Sequence, residues 1–249
     1  MAKFILYFIF IFVLFSCNGQ KENRTTTIQT AVVVETDTVI EKDTIAKDFL
    51  LGKFDYKSHT VFVKVDPRYS SKTLFIQKEV YQAFLDMRYA AAKDGINLII
   101  LSGTRNFNEQ KAIWERKWNR YNNLEPKARI HKIMEYSSMP STSRHHWGTD
   151  IDLNSLNNNY FNSGTGKKIY DWLSENAQKY GFHQTYKDKT DGRTGYNLER
   201  WHWSYFPLAE TYLKHYNENI TYEDISGFSG SEYAQELNII TNYVNGIAK

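Results

Sequence analysis

The sequence contains very little cysteine, proline or net charge, and each scarcity excludes a class of protein. One cysteine among 249 residues excludes an intrachain disulfide framework and a zinc finger built from several cysteines. Four prolines and 13 glycines exclude fibrous and low-complexity chains. A formal net charge of +3 is too small and too scattered for a clustered basic face, so no nucleic-acid partner is expected. The 41 % of hydrophobic residues excludes wholesale disorder and is sufficient for a packed core.

An apolar run near the start of the chain is too short to span a bilayer and has the form of an export signal. It covers residues 4–15 behind Lys3, whereas a membrane-spanning helix needs about 20 residues. The only cysteine, Cys17, follows this run as in a bacterial lipobox, where the cysteine becomes the lipidated first residue of the mature chain. We therefore expect a lipoprotein signal peptide over residues 1–17 and a lipid anchor on Cys17 that holds the exported protein at a membrane of the cell envelope. An ordinary secretory signal with an incidental cysteine is the alternative.

The chain after Cys17 is poor in residues that can form a core. Residues 18–48 contain seven threonines, ten charged residues and no aromatic residue, so they bury too little apolar surface to offset the entropy cost of ordering. We predict a flexible tether over residues 18–50, in which residues 31–34 could form an edge strand. A catalytic domain is predicted over residues 51–208 and an appended helical segment over residues 209–249, with a helix near 233–244. The protein is expected to be a monomer.

Hydrophobic spacing predicts helices and short strands without a regular βαβ alternation. Apolar residues at three- and four-residue steps, glycine stops and a capping-box pattern predict three helices. They cover Ile76–Ala91, the segment that follows Asn106, and Ile169–Tyr180. Short segments of strand-like composition are found at residues 96–101, 151–153 and 201–203. The mixture favours an α+β fold.

Two short segments combine histidine with carboxylates in numbers that suit a catalytic zinc site. They cover residues 143–152 and 199–203. A catalytic zinc takes three nitrogen or oxygen ligands from the protein and leaves a fourth position to water, so two histidines and one aspartate suffice. Glu199, three residues before His202, is the candidate for the base that accepts a proton from that water. In the structural alternative, each histidine is a core residue with a satisfied hydrogen bond or is simply exposed.

A third polar segment, residues 102–110, follows the predicted buried strand. Arg105 lies at the exit of this strand, just before the helix start at Asn106. A guanidinium in this place can hold a substrate carboxylate through a bidentate fork. The alternative is a local ion pair with a neighbouring acid.

In order and separation, the three segments resemble the VanY-type D-alanyl-D-alanine carboxypeptidases. The resemblance covers about residues 75–207. The matching positions are Ser102, Gly103, Arg105 and Gln110, then Ser143, His145 and Asp152, then Glu199 and His202 with its flanking tryptophans. It implies a zinc metallopeptidase with one zinc ion and the fold shared with lysostaphin-type peptidases and the hedgehog signalling domain, a small antiparallel sheet flanked by helices.

The resemblance also implies a role for each matching side chain. The zinc ligands would be His145, Asp152 and His202, and the general base would be Glu199. Arg105 and Gln110 would contact the terminal carboxylate of the peptide, and Ser143 would lie in the substrate cleft. A shifted ligand pair, His146 with Asp150, is the alternative, because His146 adjoins the expected ligand. On a strand Asp150 shares a face with Asp152, so Asp150 could instead orient a ligand.

The function implied by the resemblance is hydrolysis of the peptidoglycan stem peptide, with removal of the terminal D-alanine. An L,D-carboxypeptidase and a cross-link endopeptidase of the same family are alternatives with a different cut. A non-catalytic envelope-binding module that keeps the zinc cleft is an alternative of another class, as is a metal-free tethered scaffold.

Overall fold

The computed structural model describes residues 45–248. The expectations for the signal peptide, Cys17 and most of the tether lie outside the described residues. The helices and strands are α1 Lys47–Leu50, β1 Phe62–Lys64, β2 Phe75–Gln77, α2 Lys78–Lys93, β3 Ile100–Ser102, α3 Phe107–Arg120, α4 Pro126–Ile133, β4 Asp150–Leu153, α5 Gly164–Asn176, β5 Phe182–His183, β6 His202–Tyr205 and α6 Phe206–Asn219. Short 3₁₀ turns join several of them, including Arg144–Trp147 directly before β4. This is the α+β class expected from the sequence.

The central sheet has the strand order β3-β4-β6-β5, and every neighbouring pair is antiparallel. Strands β1 and β2 form a separate antiparallel ribbon. Side chains alternate along a strand, so β4 has an apolar and a polar face. Ile151 and Leu153 lie in the main core, whereas the carboxylates of Asp150 and Asp152 lie on the opposite face. Both faces of β4 are therefore buried, one by apolar and one by polar neighbours.

Strand β6 repeats this alternation beside β4. The register places Asp152 opposite His202 and Asp150 opposite Ser204. Trp203, between His202 and Ser204, packs into the main core. The polar faces of β4 and β6 thus form one continuous patch in the middle of the sheet.

Two helices predicted from apolar spacing cover the apolar face of this sheet. Helix α2 contributes Val80, Phe84, Met87 and Ala91, and α5 contributes Ile169, Trp172 and Leu173. Helix α2 begins at Lys78, so Ile76 belongs to β2 rather than to the helix. The predicted strand over residues 96–101 is shorter than expected, because only residues 100–102 pair with β4.

The capping box at the start of α3 is present as predicted. The Asn106 side chain accepts a hydrogen bond from the Glu109 backbone N–H at 2.9 Å, and Glu109 Oε2 accepts one from the Asn106 backbone at 3.0 Å. These two bonds satisfy backbone donors of the first turn that have no partner within the helix. The cap fixes where α3 begins, five residues after the end of β3.

The boundaries of the predicted tether and of the appended segment need correction. Residues 47–50 form α1, and Leu50 and Leu51 are buried against Trp147 and α6, so the fold begins before residue 51. The chain beyond α6 has no regular α-helix near 233–244, but a 3₁₀ turn at Ser231–Tyr233 and a π-helical turn at Ile240–Val244. The segment also forms a core with α3 and α4 instead of being merely appended. Its buried residues include Ile225, Phe228, Ala234 and Ile239.

None of the helices within residues 45–248 combines the length and apolar character that a membrane crossing requires.

Candidate metal centre

The polar face of the sheet brings three of the predicted ligands together. One donor atom each from His145, Asp152 and His202 lies within 4.8 Å of the other two, and all three residues are buried. His145 Nε2 is 3.5 Å from Asp152 Oδ2, and His202 Nδ1 is 3.0 Å from Asp152 Oδ1. Two imidazole nitrogens and a carboxylate oxygen form a donor set that suits a divalent transition metal. We call these three residues the metal triad.

A hydrogen bond to the backbone decides which nitrogen of His145 faces the triad. His145 Nδ1 lies 2.9 Å from the Gly103 carbonyl oxygen, which can only accept, so Nδ1 is the protonated nitrogen. The lone pair of Nε2 is therefore directed towards Asp152. Burial lowers the pKa of His145, which favours the neutral form that can coordinate a metal.

The carboxylate of Asp150 decides which ring nitrogen of His202 faces the triad. Asp150 Oδ2 lies 2.8 Å from His202 Nε2 and 3.1 Å from Arg144 Nε, and Ser204 Oγ donates to Asp150 Oδ1 at 2.8 Å. Asp150 thus holds the ring of His202 so that Nδ1 faces the triad. Burial alone would lower the pKa of His202, but its hydrogen bonds to Asp150 and Asp152 raise the pKa to about 9. Binding of a cation must therefore release the Nδ1 proton.

Glu199 lies beside the triad without belonging to it. Its Oε2 is 3.9 Å from His202 Nδ1, and the residue is only 6 % exposed. Burial, reinforced by the negative charge of Asp152, raises the pKa of Glu199 to about 8. A carboxyl group whose pKa lies near neutrality can both accept and return a proton at physiological pH.

Arg105 and Gln110 form one hydrogen-bonded unit at the edge of the triad. Arg105 Nε donates to Gln110 Oε1 at 3.0 Å, and Arg105 Nη1 lies 3.9 Å from Asp152 Oδ2 and donates to Ser102 Oγ. Gln110 Nε2 donates to the Ser138 carbonyl at 2.7 Å, which fixes the orientation of its amide. The guanidinium is thereby held against the cleft wall, with its side chain 22 % exposed.

The metal triad, Glu199, Arg105 and Gln110 line one cleft with a volume of about 560 Å³. Ser143 also lines it, and within the described part of the chain its Oγ has no hydrogen-bond partner. The predicted site residues Arg105, Gln110, Ser143, His145, Asp152, Glu199 and His202 therefore meet in one place. Cys17 lies outside the described residues.

The shifted ligand pair is not formed, because both ring nitrogens of His146 are bound to the backbone. Nδ1 lies 2.7 Å from the Arg105 carbonyl oxygen, and Nε2 accepts from the Ser141 N–H at 3.1 Å. Burial lowers the pKa of His146 to about 3, so the ring stays neutral. His146 is thus a structural residue, and Asp150 is bound to Arg144 and His202.

Sequence reasoning missed three residues of the cleft. Arg144 is buried and supports Asp150, and the ring of Tyr186 stacks on the His202 ring with centroids 4.6 Å apart. Lys117 lines the cleft seven residues after Gln110, so the helical periodicity of α3 could have revealed it. Nothing in the sequence distinguishes Tyr186 among the 18 tyrosines.

Comparison with known proteins gives a consistent set of relatives. The family model described as VanY, D-alanyl-D-alanine carboxypeptidase, matches residues 73–208. A D-alanyl-D-alanine carboxypeptidase of Enterococcus faecalis is 32 % identical over 145 residues, which are 56 % of this chain and 51 % of the relative. A protein of the same description from Enterococcus faecium is 28 % identical over 174 residues, or 70 % of this chain and 49 % of the relative. The chain thus spans about half the length of these curated relatives.

The solved structure of VanYB in complex with D-alanine-D-alanine is 25 % identical to the chain, with a TM-score of 0.49, and the match covers 72 % of this chain and 90 % of that one. The structure of the LdcB LD-carboxypeptidase is 23 % identical, with a TM-score of 0.48, and the match covers 74 % and 80 %.

Proposed function

The chain belongs to the VanY D-alanyl-D-alanine carboxypeptidase family, and on that premise we propose that it is a zinc peptidase that removes the terminal D-alanine from peptidoglycan stem peptides. The observation that carries this proposal is the assembly of the metal triad, Glu199 and Arg105 in one cleft. The triad can hold a metal ion, Glu199 is the candidate base, and Arg105 can bind a substrate carboxylate. The substrate follows from the description that the family model shares with the Enterococcus relatives.

Zinc fits the triad because the donor atoms and their supports suit it. Catalytic zinc sites use three nitrogen or oxygen ligands and keep one position open. The second nitrogen of each histidine is held, by the Gly103 carbonyl and by the Asp150 carboxylate, as is typical of histidine ligands to zinc. Zinc bound there supplies Lewis-acid chemistry that activates water for attack on an amide carbonyl.

Glu199 moves the proton in this reaction. It accepts the proton of the attacking water and returns it to the leaving amine of the terminal residue. Its position 3.9 Å from His202 places the carboxylate beside the triad, in the wall of the cleft that the substrate would enter. The positive charge of a bound cation lowers the pKa of Glu199 from its value of about 8, towards the ionised form that a base requires.

Arg105 distinguishes a carboxypeptidase from an endopeptidase. A free C-terminal carboxylate can pair with the guanidinium that Gln110 and Ser102 hold in place. The substrate of an endopeptidase continues past the cut and has no carboxylate there. The cleft therefore favours removal of a terminal residue.

Mass analysis of synthetic stem pentapeptides incubated with the zinc-loaded protein tests the proposal. We expect loss of one alanine, abolished by a chelator and restored by zinc. Glu199→Gln should retain zinc and lose about 10²- to 10⁴-fold in turnover, the usual range for general acid–base catalysis. Glu175→Gln, the same change at an exposed position of α5, is the matched control and should behave as the unmodified protein. Release of alanine by the fully chelated protein would contradict the zinc mechanism.

Amidation of the peptide C-terminus tests the role of Arg105. Removing the charge from either partner should cost about ten- to a hundredfold in kcat/KM, as expected for a charge-assisted hydrogen bond. Arg105→Ala combined with the amidated peptide should add little further loss, because the two groups act as a pair. Equal cleavage of free and amidated peptides would indicate an endopeptidase and would leave the zinc site unaffected.

We also propose that the protein acts in the cell envelope, held there by lipid on Cys17. The apolar run over residues 4–15 with the single cysteine behind it supports this proposal. One acyl chain binds membranes only marginally, so stable anchoring requires more than one chain on Cys17. Cys17→Ser should release the protein from membrane fractions with its hydrolase activity unchanged. A Cys17→Ser protein that still needs detergent for extraction would exclude the lipid anchor.

A further inference from the structure

Helix α3 presents a stripe of side chains to the cleft. Gln110, Ile113 and Lys117 all line it, at spacings of three and four residues that place them on one face of the helix. Trp114, at the edge of this stripe, is buried against the C-terminal segment. Because Gln110 is bonded to Arg105, this stripe begins at the predicted carboxylate site and leads away from it.

Among the basic residues of α3, Lys117 is the one that lines the cleft. Its side chain is partly buried there, whereas Arg116 and Arg120 are exposed to solvent and Lys111 is partly buried outside the cleft wall. Within residues 45–248 the Lys117 ammonium has no ion-pair or hydrogen-bond partner. Burial lowers the pKa of Lys117, and the nearby charge of Glu199 opposes this effect. A partly desolvated cation without a partner is unfavourable for the free protein and is suited to receive an anion.

The length of α3 indicates how far this cation lies from the terminal carboxylate. Lys117 follows Gln110 by seven residues, which is about 10 Å along a helix that rises 1.5 Å per residue. An extended peptide covers roughly 3.3–3.6 Å per residue, so the same length corresponds to about three residues. With the terminal carboxylate at Arg105, Lys117 is therefore level with a residue two or three positions before the C-terminus.

We propose that Lys117 binds a side-chain carboxylate on the second or third residue of the stem pentapeptide and thereby selects stem peptides that carry this acid in free form. The inference rests on the proposed function of the cleft. Of the three cations that line the cleft, Arg144 is paired with Asp150, Arg105 receives the terminal carboxylate and Lys117 receives a second acid. The substrate class is a stem peptide with two separated carboxylates.

Calorimetric binding of four peptides tests this proposal independently of turnover. The reference is a pentapeptide with free side-chain acids at residues two and three, and three further peptides carry a carboxamide at residue two, at residue three or at both. Zinc-loaded Glu199→Gln protein, in which turnover is slow, is titrated with each peptide. When the amidated acid is the one that binds Lys117, affinity should fall about five- to tenfold. This value lies between the losses expected for an exposed and for a buried charged interaction.

The same titrations on Lys117 variants identify the residue responsible. In Lys117→Met the preference for the free acid should disappear, and in Lys117→Arg it should remain. Lys111→Met is the matched control, because it makes the same substitution on the same helix outside the cleft wall and should keep the preference.

Three results would overturn the proposal. The first is equal affinity for the free-acid and side-chain-amidated peptides in the protein that retains Lys117, and the second is a preference for the free acid that survives in Lys117→Met. The third is a loss of affinity in Lys117→Met that depends on amidation of the peptide C-terminus instead of a side chain. If peptides bind with the expected preference but are not cut, the proposed peptidase activity fails and the assignment of Lys117 stands.

Discussion

His145 and His146 are neighbours in the chain, but the 3₁₀ turn Arg144–Trp147 directs their rings to different partners. The ring of His145 joins the metal triad, whereas His146 links the backbone of Arg105 to that of Ser141. One histidine is thus available for a metal and the other supports the loop that carries Arg105. At the residue scale, the site depends on what the second nitrogen of each ring contacts.

The two histidines should respond differently to the same substitution. His145→Ala should lose zinc, measured as metal per chain by elemental analysis. His146→Ala should keep zinc but lose about 2–4 kcal/mol in the free energy of unfolding, because it leaves a cavity and two buried backbone groups without partners. Urea denaturation in the presence of chelator measures this loss. A folded His146→Ala protein that binds no zinc would contradict the assignment.

Asp150 should control zinc affinity without touching the metal. Asp150→Asn should weaken zinc binding about ten- to a hundredfold, the usual cost of losing a partner that orients a ligand. It should also destabilise the protein, because the buried Arg144 loses its counter-charge. The double variant Arg144→Met, Asp150→Asn should regain stability but not zinc affinity, as measured by chelator competition. Recovery of zinc affinity in the double variant would assign the effect to Arg144 instead.

At the scale of elements, the turn between Trp147 and β4 positions His145 relative to the sheet. Gly148 ends the 3₁₀ turn in the left-handed region, with φ of +71°, and a Cβ there would lie 2.3 Å from a ring carbon of Phe62. Gly95, after α2, has φ of +72° but open space around it. The two glycines therefore share a backbone conformation and differ in their surroundings.

This difference makes a matched pair of substitutions. Gly95→Ala should cost about 1–2 kcal/mol in the free energy of unfolding, the price of a left-handed alanine. Gly148→Ala should cost more and should also weaken zinc binding, because relief of the clash with Phe62 moves the turn that carries His145. Denaturant unfolding and zinc titration measure the two effects. Equal losses of stability in Gly95→Ala and Gly148→Ala, with unchanged zinc affinity, would show that the Phe62 ring moves aside and the turn keeps its position.

At the scale of the whole molecule, the chain beyond α6 packs against the residues and the helix that line the cleft. The Tyr243 ring contacts Tyr196 at 5.1 Å, Tyr196 contacts Tyr186 at 4.9 Å, and Tyr186 stacks on His202. On the other side of this core, Phe228 packs edge-on against Trp114 of α3 at 5.7 Å. The C-terminal segment thus helps to position α3, which lines the cleft, and the ring of Tyr186, which stacks on the metal ligand His202.

Removal of one ring from this core should be costly. Phe228→Ala should lower the free energy of unfolding by about 3 kcal/mol, near the lower end for a buried phenylalanine because a small part of the ring is exposed. Zinc affinity should change little, since Phe228 packs in the core formed with α3 and α4 and is not one of the metal ligands. Tyr89→Ala, at a residue that is 67 % exposed, is the control and should have little effect. A loss in Phe228→Ala as small as that in Tyr89→Ala would show that this ring does not stabilise the fold.

Local patterns in the sequence determined the α+β class and helices α2, α3 and α5, whereas the seven site residues were assigned through the resemblance of three short segments to a known family. Apolar periodicity and capping depend on neighbours within about four residues, so they can be read from the chain itself. The alternation along β4 places Asp150 and Asp152 on one face for the same reason.

Only the tertiary structure decided between His145 and His146, assigned Asp150 and Arg144 to the support of His202, and included residues 45–50 and the C-terminal segment in the fold. Each of these depends on contacts between residues far apart in the chain. His146 reaches the carbonyl of Arg105 across 41 positions, and His202 reaches Asp150 across 52. Such partners leave no periodic trace, because the distance between them is set by how helices and strands pack. Helical periodicity places Lys117 on the same face of α3 as Gln110, but only the packing of α3 shows that this face lines the cleft.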